Sequence, residues 1–240
     1  MKNKSVFLSA EWRKLIMFNY EIDPKLVQPY LPLNTEIDYW EGKTYISIVG
    51  FMFYNTRMMG LKIPFHINFE EINLRFYVKR KDGEEWKRGV VFIKEIVPKP
   101  AIAITANLIY KEHYISLPMK HDIIVNNSEI QVKYSWKYKK EWNEISLMAK
   151  NELLDIMVGS EEEFITEHYW GYGKAKNYTI EYQVEHPRWQ IYPVLDYSLN
   201  VNVADLYGKQ LAEVLKQKPN SVLLAEGSGI IVRKASYIRK

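Results

Sequence analysis

Three polar side chains, Glu71, Asn73 and Arg75, alternate with Ile72, Leu74 and Phe76. In an extended strand that spacing puts a carboxylate, an amide and a guanidinium on one face. Inside a pocket, a Glu71–Arg75 pair would hold an anionic or carbonyl substrate by charge-assisted hydrogen bonds. On a half-buried sheet the same face would meet solvent. A second constellation is Tyr110-Lys111-Glu112-His113-Tyr114. His113 carries an imidazole whose charge is tunable near neutral pH, and a carboxyl and a phenol flank it. Neighbours along a strand face opposite ways, so Glu112 and Tyr114 need not touch it. Lys111, two residues earlier, would share the face of His113 in an extended strand. It could act as a nucleophile there, although a solvated lysine is the commoner outcome.

The remaining histidines carry less. His186 falls on the apolar face of Ile180, Tyr182 and Val184, which predicts a hydrogen-bonded core histidine. His168 follows Glu167 at the end of a capped helix, where a cation suits the helix dipole. His66 and His121 read as loop residues. No two histidines share tight ligand spacing and there is no carboxylate triad, so no metal is expected. Gly227-Ser228-Gly229 reads as a turn or bulge rather than a phosphate loop. There is no Gly-x-Ser-x-Gly elbow, and the sequence calls for no cofactor.

Most of the chain that must position these groups reads as strands. The clearest is Glu129 to Lys139, with Ile130, Val132, Tyr134, Trp136 and Tyr138 on one face. Similar alternation runs through Ile72 to Val78 and Tyr178 to His186. Longer apolar strands are expected at 45–54, 89–96, 101–109, 189–203 and 221–232. Asp23-Pro24 starts a short helix that Pro29 and Pro32 end, and Ser160 to Glu163 forms a capping box for a second. A third helix is expected over 205–216, with Leu211, Val214 and Leu215 inward. Asn126-Asn127-Ser128 is a turn, not a boundary. With no repeat and no linker, residues 1–240 read as one β-dominated domain, large enough to need no staples.

Composition narrows the class. The 33 basic and 29 acidic side chains leave a net charge of +4. The two signs are interspersed, so no nucleic-acid partner is expected. There is no cysteine, which excludes disulfides, thiol catalysis and thiolate metal sites and fits a reducing compartment. Lys2 and Lys4 precede an apolar run that Glu11, Arg13 and Lys14 interrupt, which argues against a signal peptide. No stretch has the length to span a bilayer, so the expected location is cytoplasmic, without a membrane partner.

Two stretches resemble a known superfamily. Ala10-Glu11-Trp12-Arg13 through Asp23-Pro24, leading to Leu31-Pro32, is similar to the opening of acetoacetate decarboxylases. Pro100-Ala101-Ile102-Ala103 through Tyr114 resembles the segment that carries their Schiff-base lysine. The resemblance places Arg13 on the active-site arginine, Glu71 of Phe69-Glu70-Glu71 on an active-site glutamate, and His113 on the reactive lysine. The family's other glutamate falls near Ser47, a departure. The whole chain is more similar to the uncharacterised YqjF-like family, through Val49-Gly50-Phe51-Met52-Phe53, Asn68 to Arg75, Tyr110 to Tyr114 and Val184-Glu185-His186-Pro187.

That likeness implies an α+β fold dominated by strands: a large curved antiparallel sheet or barrel enclosing a pocket, with a few short helices. It also implies a homo-oligomer. An imidazole and a phenol form no imine, so acetoacetate decarboxylation is not expected. The reading that follows is a small-molecule site for a carbonyl or carboxylate compound. Arg13 and Glu71 would orient the ligand, with Glu71–Arg13 an alternative ion pair to Glu71–Arg75. His113 would be the acid or base, with Tyr110, Tyr114, Arg75 and Asn73 as binding residues. The rival is a non-catalytic binder of an apolar ligand, or a structural oligomer with a vestigial pocket. Both readings stay open in the residues, because a fold does not carry a function.

Overall fold

The computed structural model describes residues 5–239; Lys2 and Lys4 lie outside them. In chain order it contains β1 (Val6–Glu21), α1 (Pro24–Val27), β2 (Glu36–Ile37), β3 (Tyr45–Met58), β4 (Phe69–Asp82) and β5 (Glu85–Val97). Next come α2 (Pro100–Tyr110), β6 (Tyr114–Ser116), β7 (Met119–Val125), β8 (Glu129–Tyr138), β9 (Glu141–Lys150), β10 (Leu154–Asp155) and α3 (Glu161–Thr166). The chain continues through β11 (Trp170–Lys174), β12 (Tyr178–Glu185), β13 (Gln190–Tyr192), β14 (Val194–Asn200), α4 (Val203–Tyr207) and α5 (Lys209–Leu215). It finishes with β15 (Ser221–Arg233) and β16 (Ser236–Arg239).

The main sheet runs β15-β1-β3-β4-β5-β11-β12, and β12 pairs back onto β15, closing a seven-stranded barrel. A second antiparallel sheet, β14-β9-β8-β7, lies outside it. Strand β4 sits centrally between β3 and β5, and its period of two serves two cores at once. Ile72, Leu74, Phe76 and Val78 pack with Ile130, Val132, Tyr134 and Trp136 of the second sheet. Phe69 and Tyr77 belong instead to the barrel interior with Phe51, Phe53 and Tyr182. Closure removes open edges, and both faces of β4 are dry from Phe69 to Val78.

Local chemistry explains where expected elements changed. The stretch 101–109, read as a strand, is a helix. Pro100 occupies its first turn, where the missing N–H costs nothing, and Lys111 ends it with a left-handed φ of 54°. The expected strand 189–203 divides at Pro193: β13 joins the barrel sheet and β14 the second sheet. The expected helix 205–216 breaks at Gly208, whose φ of +88° lies outside helical space. Leu211 and Leu215 still point inward. The Ser160 cap forms as expected, accepting from the Glu163 amide at 3.2 Å, and so does the Asn126 turn. Among the described residues no helix is long and apolar enough to cross a membrane.

Candidate functional site

The interior of the barrel holds a cavity of about 240 Å³. Most of its wall is aromatic or aliphatic, including Phe7, Trp12, Phe51, Phe53, Phe69 and Phe92. Phe53 stacks on Phe69 with ring centroids 4.5 Å apart, and Trp12 meets Phe51 edge-on at 5.2 Å. Ile63 and Ala101 are exposed members of the wall, so the way in lies between the β3–β4 loop and α2.

The polar end of the wall is built by strand parity. Glu71, Asn73 and Arg75 all point inward from β4 and are 3%, 2% and 8% exposed, so the solvent-face alternative does not hold. Antiparallel pairing sets Glu95 of β5 opposite Asn73, and parallel pairing sets Tyr114 of β6 beside Glu95. Tyr114 donates its hydroxyl to Glu71 Oε2 at 2.9 Å, while Asn73 Nδ2 donates to Glu71 Oε1 at 3.1 Å. Glu112 joins from the turn after α2 and accepts the Tyr182 hydroxyl at 2.9 Å. Three carboxyl groups, Glu71, Glu95 and Glu112, therefore share one dry corner.

Burial dominates their acidity, since removing water penalises a carboxylate far more than a carboxylic acid. It pushes Glu71 up to about 7, against the hydrogen bonds from Asn73 and Tyr114 and the charge of Arg75. Burial likewise lifts Glu112 to about 8, with the Tyr182 hydrogen bond opposing and the charge of Glu71 adding to the rise. Glu95 is driven well above the ordinary range by burial and by both neighbouring acids. At neutral pH the corner retains protons, so its members can donate as well as accept.

Arg75 makes no ion pair with Glu71; its Nη2 reaches the Ile165 carbonyl at 3.4 Å. His168 is a second polar element of the wall. Its Nε2 meets Asp38 Oδ2 at 3.2 Å, and Arg88 donates to the same oxygen at 2.6 Å. Burial pushes the imidazole down to about 4. Burial alone would raise Asp38, but hydrogen bonds from His168 and Arg88 outweigh it and hold the carboxyl at about 2. His168 is thus a buried neutral imidazole beyond the end of α3, not the helix-terminal cation read from the sequence.

The expected convergence of Arg13, Glu71 and His113 does not occur. Glu71 is at the cavity with Tyr110, Tyr114, Asn73 and Arg75. Arg13 lies elsewhere on β1, bonded to Glu11 at 2.7 and 3.0 Å and 3.5 Å from Glu226. His113 is exposed, and only its backbone takes part, its carbonyl accepting from the Glu95 amide at 3.3 Å. Because Lys111 is a left-handed helix cap rather than a strand residue, it too is exposed. Ser47 is buried away from the cavity, bonded to Asn19 and Tyr77. His121 lies in β7, paired with Glu70 at 2.6 Å, not in a loop. His186 is half-buried and stacked on Trp189 at 4.2 Å, less enclosed than a core histidine.

Among the described residues no lysine lines the cavity. Several buried or partly buried amines are committed elsewhere, among them Lys14 to Tyr192 and Glu226, Lys87 to Glu181, and Lys94 to the Leu206 carbonyl. No group of three His, Asp or Glu side chains among the described residues is placed to hold a metal ion.

A family model described as an uncharacterized conserved protein, DUF2071, matches residues 9–229. The chain belongs to the DUF2071 family. It is 24% identical over 208 residues to the uncharacterized protein YqjF of Bacillus subtilis (strain 168), covering 84% of this chain and 82% of the relative. Its fold is that of the acetoacetate decarboxylases. The acetoacetate decarboxylase of Legionella pneumophila superposes with a TM-score of 0.65 at 12% identity, covering 99% of this chain and 90% of that one. The enduracididine biosynthesis enzyme MppR, complexed with pyruvate, superposes with a TM-score of 0.65 at 10% identity, covering 97% and 91%. At such identities the likeness speaks for architecture, and the chemistry must come from the residues present.

Proposed function

We propose that this DUF2071 member, acting as a single domain over residues 1–240, binds a small, largely apolar carbonyl or carboxyl compound inside its barrel. It acts on that compound by proton transfer rather than by imine formation. One observation carries the reading: Glu71, gripped by Tyr114 and Asn73 and held near neutrality, stands at the polar end of an apolar cavity that no lysine among the described residues lines. An acid or base is most effective when its pKa lies near the working pH. The dry surroundings strengthen any hydrogen bond from the carboxyl corner to a substrate oxygen. The pyruvate in the MppR complex supports a small oxo compound as the ligand class.

The aromatic share of the wall favours a second reading, a binder of apolar ligands without chemistry. The two separate in one experiment. Thermal-shift titration with pyruvate, acetoacetate and phenylacetone is run on the wild type and on Glu71→Gln, followed by borohydride reduction and mass spectrometry. The proton-transfer reading expects stabilisation by a carbonyl ligand that weakens in Glu71→Gln, with no covalent adduct. Equal stabilisation of both proteins supports the apolar binder. A reduced adduct on any lysine overturns the proposal.

A cytoplasmic location and a homo-oligomer belong to the same proposal, supported by the absence of cysteine and by exposed apolar side chains such as Leu61, Phe65, Ile104 and Leu108. The interspersed charges support a partner set without nucleic acid or membrane.

A further inference from the structure

We propose that the ligand of this cavity carries a protonated amine, seated against the carboxyl corner formed by Glu71, Glu95 and Glu112. The inference rests on the internal site just described and narrows its ligand class. Three carboxyl groups meet in the corner, whereas among the described residues the wall contains no lysine and a single arginine, Arg75. Arg13, the second cation that an anionic ligand would need, is engaged outside the cavity by Glu11 and Glu226.

Hydrogen-bond accounting independently points the same way. Glu95 Oε2 and Asn73 Oδ1 are buried without partners, in residues that are 1% and 2% exposed. Asn73 Oδ1 can only accept and so requires a donor, whereas Glu95 Oε2 becomes a pure acceptor once its carboxyl gives up the proton. The Tyr110 hydroxyl is likewise unpartnered at this wall. His168 adds another acceptor, because donating Nε2–H to Asp38 leaves Nδ1 with its lone pair, and Nδ1 has no partner. The unpartnered wall groups that can only donate are Arg75 Nε and the Trp12 indole, while the Thr56 and Tyr110 hydroxyls can do either. The two donors suit the oxygen function of the same ligand, not a second site for the cation. An ammonium offers three donors, and the aromatic walls favour a cation over a neutral group of equal size. A metal ion would answer the charge as well, but no ligand group has the placement for one among the described residues.

The chemistry of binding is a proton balance. The free corner is protonated; an incoming R–NH3⁺ stabilises a carboxylate, the O–H bond of one carboxyl breaks, and its proton leaves to buffer. The other titratable groups facing the corner do not compete. Tyr110, Tyr114 and Tyr182 are all raised further from ionisation by burial, and burial keeps His168 neutral.

The test uses three benzyl compounds of similar size and different charge: phenylethylamine, phenylacetone and phenylacetate, titrated calorimetrically into the full chain in buffers of different ionisation enthalpy. The amine is expected to bind most tightly, releasing about one proton. Its affinity should rise roughly tenfold per pH unit up to about neutrality, as linkage to one proton requires. In Glu112→Gln and Glu95→Gln, which keep the shape of the protonated acid but cannot ionise, the amine should lose at least about tenfold, several times more than phenylacetone loses. Tighter binding of phenylacetone or phenylacetate, or amine binding without proton release, overturns the inference and leaves the internal site standing. Failure of all three to bind overturns both.

Discussion

Tyr182 donates its hydroxyl to Glu112 Oε1 at 2.9 Å, and its ring lies over a strand position where only hydrogen fits. That position is Gly171 of β11, paired with Tyr182 across the ladder. A Cβ there would come within 2.1 Å of the phenol ring. Gly171→Ala should therefore displace Tyr182 and cost about 1–3 kcal/mol of stability by overpacking. Urea unfolding with an unchanged slope would measure it. A neutral result would mean that the ring relaxes freely and does not fix Glu112.

The carboxyl corner makes stability depend on pH in an unusual direction for acids. A carboxyl whose pKa is higher folded than unfolded contributes fully below the unfolded value, and the contribution is lost as pH rises through the folded one. For Glu112 the window runs from the ordinary value of 4.5 to about 8. Burial, the main cause, is absent from the unfolded chain. Melting curves from pH 5 to 8 should show the wild type losing more thermal stability with rising pH than Glu112→Gln, which cannot ionise. Parallel curves would refute the protonated corner.

The Asp38–His168 pair predicts a histidine that stays neutral. Desolvation holds the imidazole at about 4, and the hydrogen bond to Asp38 places its proton on Nε2. Nitrogen NMR of histidine-labelled protein should find one Nε2–H tautomer that does not titrate between pH 6 and 8. Asp38→Asn should disturb that tautomer without moving signals from exposed His113. A midpoint near 6.5 for His168 would contradict the buried neutral assignment.

The sequence made the cavity face of β4 legible because a central strand obeys strict parity: Glu71, Asn73 and Arg75 go one way and Ile72, Leu74 and Phe76 the other. Parity failed after Pro100. The run from Ala101 to Tyr110 is rich in Ile and Ala, and its length and apolarity suit a strand as well as a helix. Pro100 was the one local signal for the helix. Once that run is helical, the left-handed turn at Lys111 resets which side chains face inward. Glu112 enters the barrel, while Lys111 and His113 leave it. Glu95 stayed unnoticed inside an expected apolar strand. The signal was present: a carboxylate between Lys94 and Ile96 in a strand buried on both faces needs partners. Which residues lie beside it, Asn73 and Tyr114, depends on pairing register, and no single segment encodes it.

The final prediction separates inherited positions from working ones. Alignment with the decarboxylases marks Arg13, Glu71 and His113, whereas the cavity keeps only Glu71 of these, beside Glu95 and Glu112. His113 is exposed and does not line the cavity, so His113→Ala should change stability by no more than about 0.5 kcal/mol. It should leave any ligand-induced thermal shift intact. Arg13→Ala loses ion pairs to Glu11 and Glu226 that are about a third exposed, and solvent screening limits that loss to about 1 kcal/mol. Neither change should alter ligand affinity by more than about twofold, because neither side chain borders the space a ligand would fill. Glu71→Gln, by contrast, should weaken a carbonyl ligand by roughly tenfold or more, since it replaces a proton-exchanging group held at 2.9 Å by Tyr114. If His113→Ala abolishes the thermal shift while Glu71→Gln preserves it, the functional site lies on the outer surface of the barrel and the interior cavity is only packing.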